Sequence, residues 1–250
     1  MDPTHAHLRA FLGAVAGLPG GELAEREGVR WCKTPIQWPM FNGVIATPAL
    51  GSCEAAGDAI AALAEAGRLW FLWVLPDTPP DVVSAAADAG AAEWAGREPW
   101  MEARVADLPE PVVPPGVTIE EVSDEVGYRL WAATMREIYG FPEAGEQAWV
   151  LPAELCGWSG LPWRQWIAYA DGEPVGVTLL YCGGGVAGLI GVGTKASARR
   201  RGIGRLVTLW PLKQSGGELA GFFATPEGMK LYRTLGFEER GWVSRRLGGR

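Results

Sequence analysis

The pattern of apolar and polar positions along the chain predicts helices and strands that alternate over its whole length. The predicted helices cover residues 5–18, 54–66, 80–90, 124–139, 143–150, 202–214 and 226–235. The predicted strands cover residues 29–33, 41–47, 69–76, 100–106, 117–122, 164–171, 174–182, 186–194, 219–224 and 238–247. The alternation favours an α/β protein whose sheet is mixed, as in α+β proteins, because glycine-containing turns join the strands between 164 and 194 as antiparallel hairpins.

A proline-rich segment divides this pattern into two halves. Residues 107–116 read DLPEPVVPPG, which contains four prolines and has neither helical nor strand periodicity. We therefore predict a first domain at 1–110, a linker at 111–116 and a second domain at 117–250. Each half has a similar series of elements, so we expect an internal duplication, although no repeated sequence motif proves it.

Two apolar segments bear on whether the chain meets a membrane. Residues 8–18 place their large apolar side chains on one helical face, which an amphipathic first helix explains better than a signal sequence does. Residues 174–194 carry no charge over 21 positions, but seven of these are glycine, which favours two buried strands over a membrane helix. We expect a soluble, cytoplasmic protein with no membrane partner.

The composition is that of a folded globular protein and argues against several kinds of site. The 250 residues are 48% hydrophobic and 20% charged, and the net charge of −7 argues against nucleic acid as a partner. The only two histidines, His5 and His7, lie in an N-terminal stretch that we expect to be mobile, so neither is expected to serve a catalytic triad. The four cysteines are scattered, which predicts no metal site and a reducing compartment.

The most informative segment, residues 192–210, leads from a glycine-rich strand through a basic turn into an apolar helix. From Lys195 to Lys213 there are six basic residues and no acidic one. Gly202 and Gly204 would let a ligand approach the main chain, where the first N–H groups of the helix and the nearby arginines suit a pyrophosphate. Neither GxxxxGK[ST] nor the third glycine of GxGxxG is present. A solvated basic turn capping a surface helix is the alternative interpretation.

Two motifs in this part of the chain resemble those of the GNAT acetyltransferase family. Arg199–Gly204 resembles the R/Q-x-x-G-x-G loop with which that family binds acyl-CoA, and residues 231–237 (LYRTLGF) look like its last helix and the turn into its last strand. The resemblance covers 117–250 and implies a GNAT fold there. The first half looks similar to the degenerate halves of tandem GNAT proteins, and since residues 1–112 contain no RxxGxG, we do not expect it to bind coenzyme A.

The resemblance implies that acetyl-CoA binds in a V that opens where a strand splays away before the loop. Main-chain groups of Val192 and Thr194 would bind the pantetheine arm, and N–H groups from Arg200 to Leu206 would bind the pyrophosphate. The sequence departs from the family pattern at Ala196, where a proline is common, and at Thr225, where an asparagine often binds the cofactor. No metal is implied. The implied cofactor-binding residues are Val192, Thr194, Arg199, Arg200, Arg201, Gly202, Ile203, Gly204, Arg205, Leu206 and Thr225.

Tyr232 is the catalytic acid that the resemblance implies, because the family's tyrosine at this place faces the thioester sulfur and can protonate the departing thiolate. A tyrosine that merely packs in the core is the alternative. The strand at 186–194 has no acidic residue, so the general base is either one of Glu143, Glu146 and Glu154 or a water molecule. Four tryptophans between residues 149 and 166 either line an acceptor pocket or pack between the halves.

Together these expectations describe an acetyl-CoA-dependent N-acetyltransferase that acts on an amine of a small molecule. The net negative charge mildly favours a cationic amine as the acceptor. Two alternatives remain at this point. One is a protein that binds or senses acyl-CoA without turnover, and the other is a GNAT-like acyltransferase or decarboxylase that uses another acyl-CoA.

Overall fold

The computed structural model describes residues 2–47 and 50–249 and has a mixed α/β fold, as the alternating pattern predicts. Among the described residues, no helix is both long and apolar enough to cross a membrane. The helices are α1 (Pro3–Ala16), α2 (Cys53–Glu65), α3 (Pro80–Asp88), α4 (Glu125–Tyr139), α5 (Glu143–Leu155), α6 (Ile203–Lys213) and α7 (Pro226–Thr234). The strands are β1 (Glu22–Arg26), β2 (Val29–Lys33), β3 (Gly43–Ala46), β4 (Trp70–Val74), β5 (Ala92–Arg104), β6 (Val117–Glu121), β7 (Trp163–Ala170), β8 (Glu173–Gly183), β9 (Val186–Thr194), β10 (Leu219–Phe223) and β11 (Glu238–Gly248).

Three elements differ from the sequence-based prediction. Strand β1 was not expected, because its sequence ELAER is mostly polar and mostly exposed. Strand β5 begins at Ala92, well before the predicted start at 100, since its first half is exposed and polar. Helix α5 continues to Leu155, beyond the predicted end at 150, although it contains Pro152. In β1 and in the first half of β5, the missing signal is a buried apolar face of regular spacing. Helix α5 instead buries Pro152 and Ala153 beyond residue 150 and continues through a proline, which the interior of a helix rarely accommodates.

The chain forms two compact units, and neither is continuous in sequence. The first consists of the described residues of 1–100, 223–225 and 239–250, and the second consists of 101–222 and 226–238. The last strand, β11, therefore belongs to the first unit, where it pairs antiparallel with β4. The division at 111–116, expected from the prolines, stays a prediction.

In the first unit the strands lie in the order β1-β2-β3-β4-β11. All neighbours are antiparallel except β3 and β4, which are parallel. Helix α2 begins where the Ser52 hydroxyl accepts a hydrogen bond from the Ala55 N–H at 3.1 Å, an N-cap that satisfies one of the free donors of the first turn. Its apolar side, with Ile60 and Leu63, packs on Val44 and other side chains of the sheet.

Helix α1 corrects the expectation that the N-terminal stretch is mobile. The carboxylate of Asp2 caps the helix by accepting from the N–H of Thr4 at 3.0 Å. His5 and His7 are only 1% and 4% exposed. A ring nitrogen of His5 bonds to the Ala46 carbonyl oxygen at 2.8 Å, so this histidine fastens α1 to the end of β3. Amino-acid composition gives no indication of this burial.

In the second unit the strands lie in the order β10-β9-β8-β7-β6, and only β9 and β10 are parallel. The uncharged stretch at 174–194 forms most of the β8–β9 hairpin, as predicted, and its turn contains Gly184 and Gly185 at positive φ. Helix α6 packs Ile203 and Val207 against the sheet. Both units thus contain antiparallel strands and one parallel pair of neighbours. The internal duplication expected from the series of elements stays a prediction.

A single buried amide ties together the loop before β3. Asn42 is 0% exposed. Its side-chain oxygen accepts from the N–H of Thr34 at 2.8 Å. Its side-chain nitrogen donates to the carbonyl oxygens of Ile36 at 2.8 Å, Trp38 at 3.2 Å and Leu69 at 3.1 Å. These main-chain groups lie at or near the protein interior, where a group without a hydrogen-bond partner lowers the stability of the folded chain.

We expect Asn42→Ala to lower the free energy of unfolding by about 3–5 kcal/mol, because several main-chain groups lose their partner at about 1–3 kcal/mol each. Chemical denaturation measures this change. The control is Gln147→Ala, at an exposed position of α5, which should stay within about 0.5 kcal/mol of the parent. A loss below about 1 kcal/mol for Asn42→Ala would show that water replaces the amide.

Candidate functional site

Strands β9 and β10 diverge early, and this divergence defines the candidate site. Their parallel pairing covers only three residue pairs, from Val186 opposite Leu219 to Gly188 opposite Gly221. Strand β9 continues to Thr194. The edge of β9 that faces β10 is therefore left without its ladder partner beyond Gly188, and its main-chain N–H and C=O groups can bind an extended ligand.

A bulge in β9 accompanies the divergence. Val177 lies opposite Gly193, but Leu179 lies opposite Ile190, so β9 has one extra residue where β8 has Thr178. Gly191 in this bulge has φ +64°, a backbone conformation that residues other than glycine rarely adopt. The bulge bends the free end of β9 and changes the direction of its main-chain groups.

Helix α4 packs against the bulged part of β9 because two glycines leave room for it. A Cβ atom on Gly191 would lie 2.8 Å from the Cε of Met135, and one on Gly193 would lie 2.7 Å from the Cγ2 of Ile138. At the end of α4, the Tyr139 hydroxyl donates a hydrogen bond to the Val192 carbonyl oxygen at 2.8 Å. The glycines and this hydrogen bond hold the bulge in one position.

The basic turn leads into α6 through two residues at positive φ, Arg200 at +66° and Gly202 at +83°. The N–H of Leu206 donates to the Gly202 carbonyl oxygen at 3.1 Å, which is the first hydrogen bond of the helix. Helix geometry leaves the N–H groups of 203–205 without such partners, and the positive end of the helix dipole adds to their attraction for an anion. Of the N–H groups expected to bind a pyrophosphate, that of Leu206 is already used.

Three elements meet at Gly204, in the first turn of α6. A Cβ atom there would lie 3.3 Å from the Cδ2 of Leu231 in α7 and 3.6 Å from the side-chain oxygen of Thr194 at the end of β9. The glycine therefore lets α7 and the end of β9 approach the start of α6. This contact brings together the two sequence motifs, which are separated along the chain.

The arginine side chains of the turn are exposed and make few contacts. The Nε of Arg199 donates to the Thr194 carbonyl oxygen at 3.4 Å. Arg201 lies 3.6 Å from the carboxylate of Asp171, and both side chains are well exposed. Exposed pairs of this kind are weak, so the positive charge stays free to attract an anion from solution.

The remaining expected cofactor-binding residues differ in what they can contribute. Ile203 and Leu206 are 1% and 0% exposed, so only the main chain of such residues can reach a ligand. The side chain of Arg205 is partly buried. Thr225 is exposed immediately before α7, and it belongs to the first unit.

Tyr232 is buried in the second unit, on the inner side of α7. It is 7% exposed and packs edge-to-face on Phe222, with ring centroids 4.6 Å apart. Gly228, one turn earlier, lies directly over the ring, because a Cβ atom there would be 2.6 Å from the Tyr232 Cε2. Burial raises the pKa of Tyr232 to about 12. The phenol therefore keeps its proton at neutral pH.

The carboxylates that were candidates for the general base lie on α5. Glu146 is paired with Arg136 at 3.0 Å and has a mostly buried side chain. Glu143 and Glu154 are exposed. Exposure and ion pairing therefore select none of the three as the general base.

Three of the four tryptophans between 149 and 166 are buried in the second unit, and Trp158 is partly exposed. Trp149 lies edge-to-face on Trp131 of α4, with ring centroids 5.7 Å apart. The guanidinium of Arg129 lies 5.1 Å from the ring centroid of Trp158. The remaining two, Trp163 and Trp166, are 5% and 1% exposed.

Sequence reasoning missed the bulge in β9 and the role of Tyr139. The pattern Gly191-Val192-Gly193 within a predicted strand was the available signal for a bulge, since isolated glycines weaken a regular strand. No local signal in α4 connects the hydroxyl of Tyr139 with a carbonyl 53 residues later. That contact depends on the packing of α4 across β9.

Comparison with known proteins supports the fold. No protein-family model matches the chain, and no curated protein matches it. Among solved structures, a GCN5-related N-acetyltransferase from Kribbella flavida matches with a TM-score of 0.74 at 20% identity, covering 98% of this chain and 95% of that one. A tandem GNAT protein from the clavulanic acid biosynthesis pathway matches with a TM-score of 0.58 at 13% identity, covering 99% and 95%.

A third solved structure agrees with these two. The GCN5-related N-acetyltransferase from Sphaerobacter thermophilus matches with a TM-score of 0.56 at 14% identity, covering 99% of this chain and 93% of that one. At such identities the similarity concerns the fold. The GNAT fold, inferred from the loop and the last helix, is therefore confirmed, and the matches extend over nearly the whole chain.

The burial of Tyr232 predicts how the stability of the protein depends on pH. An exposed tyrosine loses its proton near pH 10, whereas Tyr232 keeps its proton to about pH 12 in the folded chain. The unfolded chain thus binds fewer protons above about pH 10, and stability falls as the pH rises through this window. We would measure the free energy of unfolding with denaturant at a series of pH values. Between about pH 10 and pH 12, it should fall by on the order of 2 kcal/mol less in Tyr232→Phe than in the parent. Parallel curves for parent and variant would contradict the assigned burial.

Proposed function

We propose that this protein is a GNAT-type acyltransferase that transfers an acetyl group from acetyl-CoA to an amine of a small molecule. The observation that carries the proposal is the early divergence of β9 from β10 beside the free N-terminus of α6. A diverging strand offers main-chain groups to an extended arm, and a helix N-terminus within a basic turn offers N–H groups to a diphosphate. Acetyl-CoA combines these two features in one molecule.

The residues of the second unit fit coenzyme A part by part. The N–H groups of 203–205 would hold the diphosphate, with Arg199, Arg200 and Arg201 supplying positive charge around it. The free edge of β9 from 189 to 194 would bind the pantetheine arm. The Val192 carbonyl oxygen already accepts from Tyr139, so an amide of the arm would use its second lone pair. Thr225 is not assigned a contact.

Acetyl-CoA supplies the acetyl group as a thioester, and the chain supplies polarisation and a proton. A main-chain N–H on the free edge of β9 would donate to the thioester carbonyl oxygen, where negative charge develops. The amine forms the new C–N bond as the C–S bond breaks. Tyr232, a phenol that is protonated at neutral pH, would donate its proton to the departing sulfur.

Proton removal from the amine is assigned to water rather than to a carboxylate. Strand β9 contains no acidic residue. Glu146 is occupied by Arg136, and Glu143 and Glu154 are exposed. An amine that enters in its neutral form needs only a water molecule to carry away the proton once the C–N bond has formed. The net charge of −7 favours an acceptor that is cationic in solution.

The direct experiment is a thiol-release assay with acetyl-CoA and a panel of small amines. Release of coenzyme A that depends on an amine, together with the acetylated amine, supports the proposal. Tight coenzyme A binding without release from any acyl donor would instead indicate a binding or sensing protein. Release that prefers a longer acyl-CoA, or that produces carbon dioxide without an acceptor, would indicate another acyl-CoA reaction.

We expect Gly202→Val to weaken coenzyme A binding by at least about ten-fold in calorimetry, because a side chain there would displace the turn whose N–H groups would bind the diphosphate. Gly202 has φ +83°, and an added Cβ would lie 3.2 Å from the Cγ of Pro114, so the variant carries both backbone strain and a close contact. Gly216→Val is the matched control, since Gly216 has φ +67° and no neighbour within 4 Å of an added Cβ. It carries the same kind of backbone strain without a close contact, and it should keep coenzyme A affinity. Equal affinity in both variants would remove the loop from the binding site.

We expect Tyr232→Phe to lower kcat by on the order of 10²–10⁴, because the variant keeps the ring but has no proton to donate. Coenzyme A affinity should change little. Tyr128→Phe is the matched control, since Tyr128 is also 7% exposed and burial also raises its pKa. Its kcat should equal that of the parent. If kcat of Tyr232→Phe is unchanged while chemistry limits turnover, Tyr232 is a packing residue.

A further inference from the structure

Residues 110–117 of the second unit, which we call the proline strap, lie along α6. At the end of the helix, the Nζ of Lys213 pairs with the carboxylate of Glu110 at 3.0 Å. At its start, a Cβ atom on Gly202 would lie 3.2 Å from the Cγ of Pro114. The 11 residues of the helix span about 16 Å, and the steps from Glu110 to Pro114 span about 12 Å, to which the side chains of the ion pair add their length. The strap therefore runs antiparallel to the helix from one end to the other.

Burial within the proline strap repeats every third residue. Residues 112–113 and 115–116 are exposed, whereas Pro111 and Pro114 are partly buried and Val117 is buried. A period of three is that of a polyproline II helix, which proline favours because its ring fixes φ. Pro111 and Pro114 thus lie on the inner side of the strap.

The end of the proline strap is fastened to two neighbouring parts of the second unit. The N–H of Val117, at the start of β6, donates to the Pro114 carbonyl oxygen at 3.1 Å. The N–H of Asp171, in the turn between β7 and β8, donates to the Gly116 carbonyl oxygen at 3.3 Å. The sheet therefore fixes the place of Pro114 independently of the basic turn beside it.

The basic turn that Pro114 contacts has little support of its own at the start of α6. Gly202 is the N-cap of this helix and, having no side chain, gives the first turn no cap hydrogen bond. In α4, by contrast, the Asp124 carboxylate accepts from the Gly127 N–H at 2.8 Å. A helix start without such a cap leaves its N–H groups open to a ligand, but the glycine also has conformational freedom that binding must remove.

We infer that Pro114 is a positioning residue for coenzyme A, an inference that rests on the proposed function. The proline ring lies against one side of Gly202 and has a fixed φ of its own, so it restrains rotation at the glycine. The N–H groups of 203–205 then keep one direction, and the diphosphate approaches from the side of the turn away from the ring. Because the turn is ordered before the ligand arrives, less conformational entropy is lost on binding.

The test compares Pro114→Ala with Pro111→Ala in the full chain. Each variant removes one proline ring from the inner side of the strap, but Pro111 lies three residues away from the contact with Gly202. In calorimetry, Pro114→Ala should weaken coenzyme A binding by at least about five-fold, and Pro111→Ala should change it by less than about two-fold. The KM for acetyl-CoA should rise in Pro114→Ala while kcat stays that of the parent, because the ring acts at the diphosphate. A loss of packing alone would affect both variants equally.

Hydrogen exchange on the ligand-free protein separates this inference from the proposed function. The Leu206 N–H donates to the Gly202 carbonyl oxygen at 3.1 Å, so its exchange rate measures how firmly Gly202 is held. We expect this amide to exchange at least about three-fold faster in Pro114→Ala than in Pro111→Ala or the parent. Unchanged exchange, or equal coenzyme A affinity in the parent and Pro114→Ala, would overturn the role of Pro114. A parent that binds no coenzyme A would instead contradict the proposed function itself, and the inference with it.

Discussion

The early end of pairing between β9 and β10 is the constraint on which the candidate site depends. A strand that leaves its neighbour must satisfy its main-chain groups in another way. In this chain the bulge at Gly191 bends β9, and α4 packs over Gly191 and Gly193. The Tyr139 hydroxyl donates a hydrogen bond to the Val192 carbonyl oxygen. The main-chain groups on the unpaired edge of β9 lie beside the N-terminus of α6. Gly204 lets α7 approach both the end of β9 and the start of α6.

The first unit shows by contrast why divergence matters. Its parallel pair, β3 and β4, is matched from Gly43 opposite Phe71 to Ile45 opposite Trp73, and β3 ends at Ala46. The described part of β3 therefore has almost no free edge beyond the paired residues. Both units contain a parallel pair of neighbouring strands, but the feature that would hold an extended arm occurs in the second unit.

Features with a local cause could be predicted from the sequence. The basic turn, Gly202 and the Leu-Tyr-x-x-Leu-Gly-Phe motif are short continuous segments with a local signature, so α6 and α7 occur where the sequence predicts them. Features with a distant cause could not be predicted. The salt bridge between Glu98 of β5 and Arg245 of β11 joins residues 147 positions apart, and the burial of His5 depends on the end of β3. Strand β1 was missed because an exposed polar strand lacks an alternating pattern.

We propose that coenzyme A lies along the free edge of β9 with its diphosphate at the start of α6, and a crystal structure of the complex tests this most directly. We expect diphosphate oxygens within hydrogen-bonding distance of the N–H groups of 203–205, and a pantetheine arm beside residues 189–194. A diphosphate bound elsewhere in the second unit, or any coenzyme A bound to the first unit instead, would contradict it.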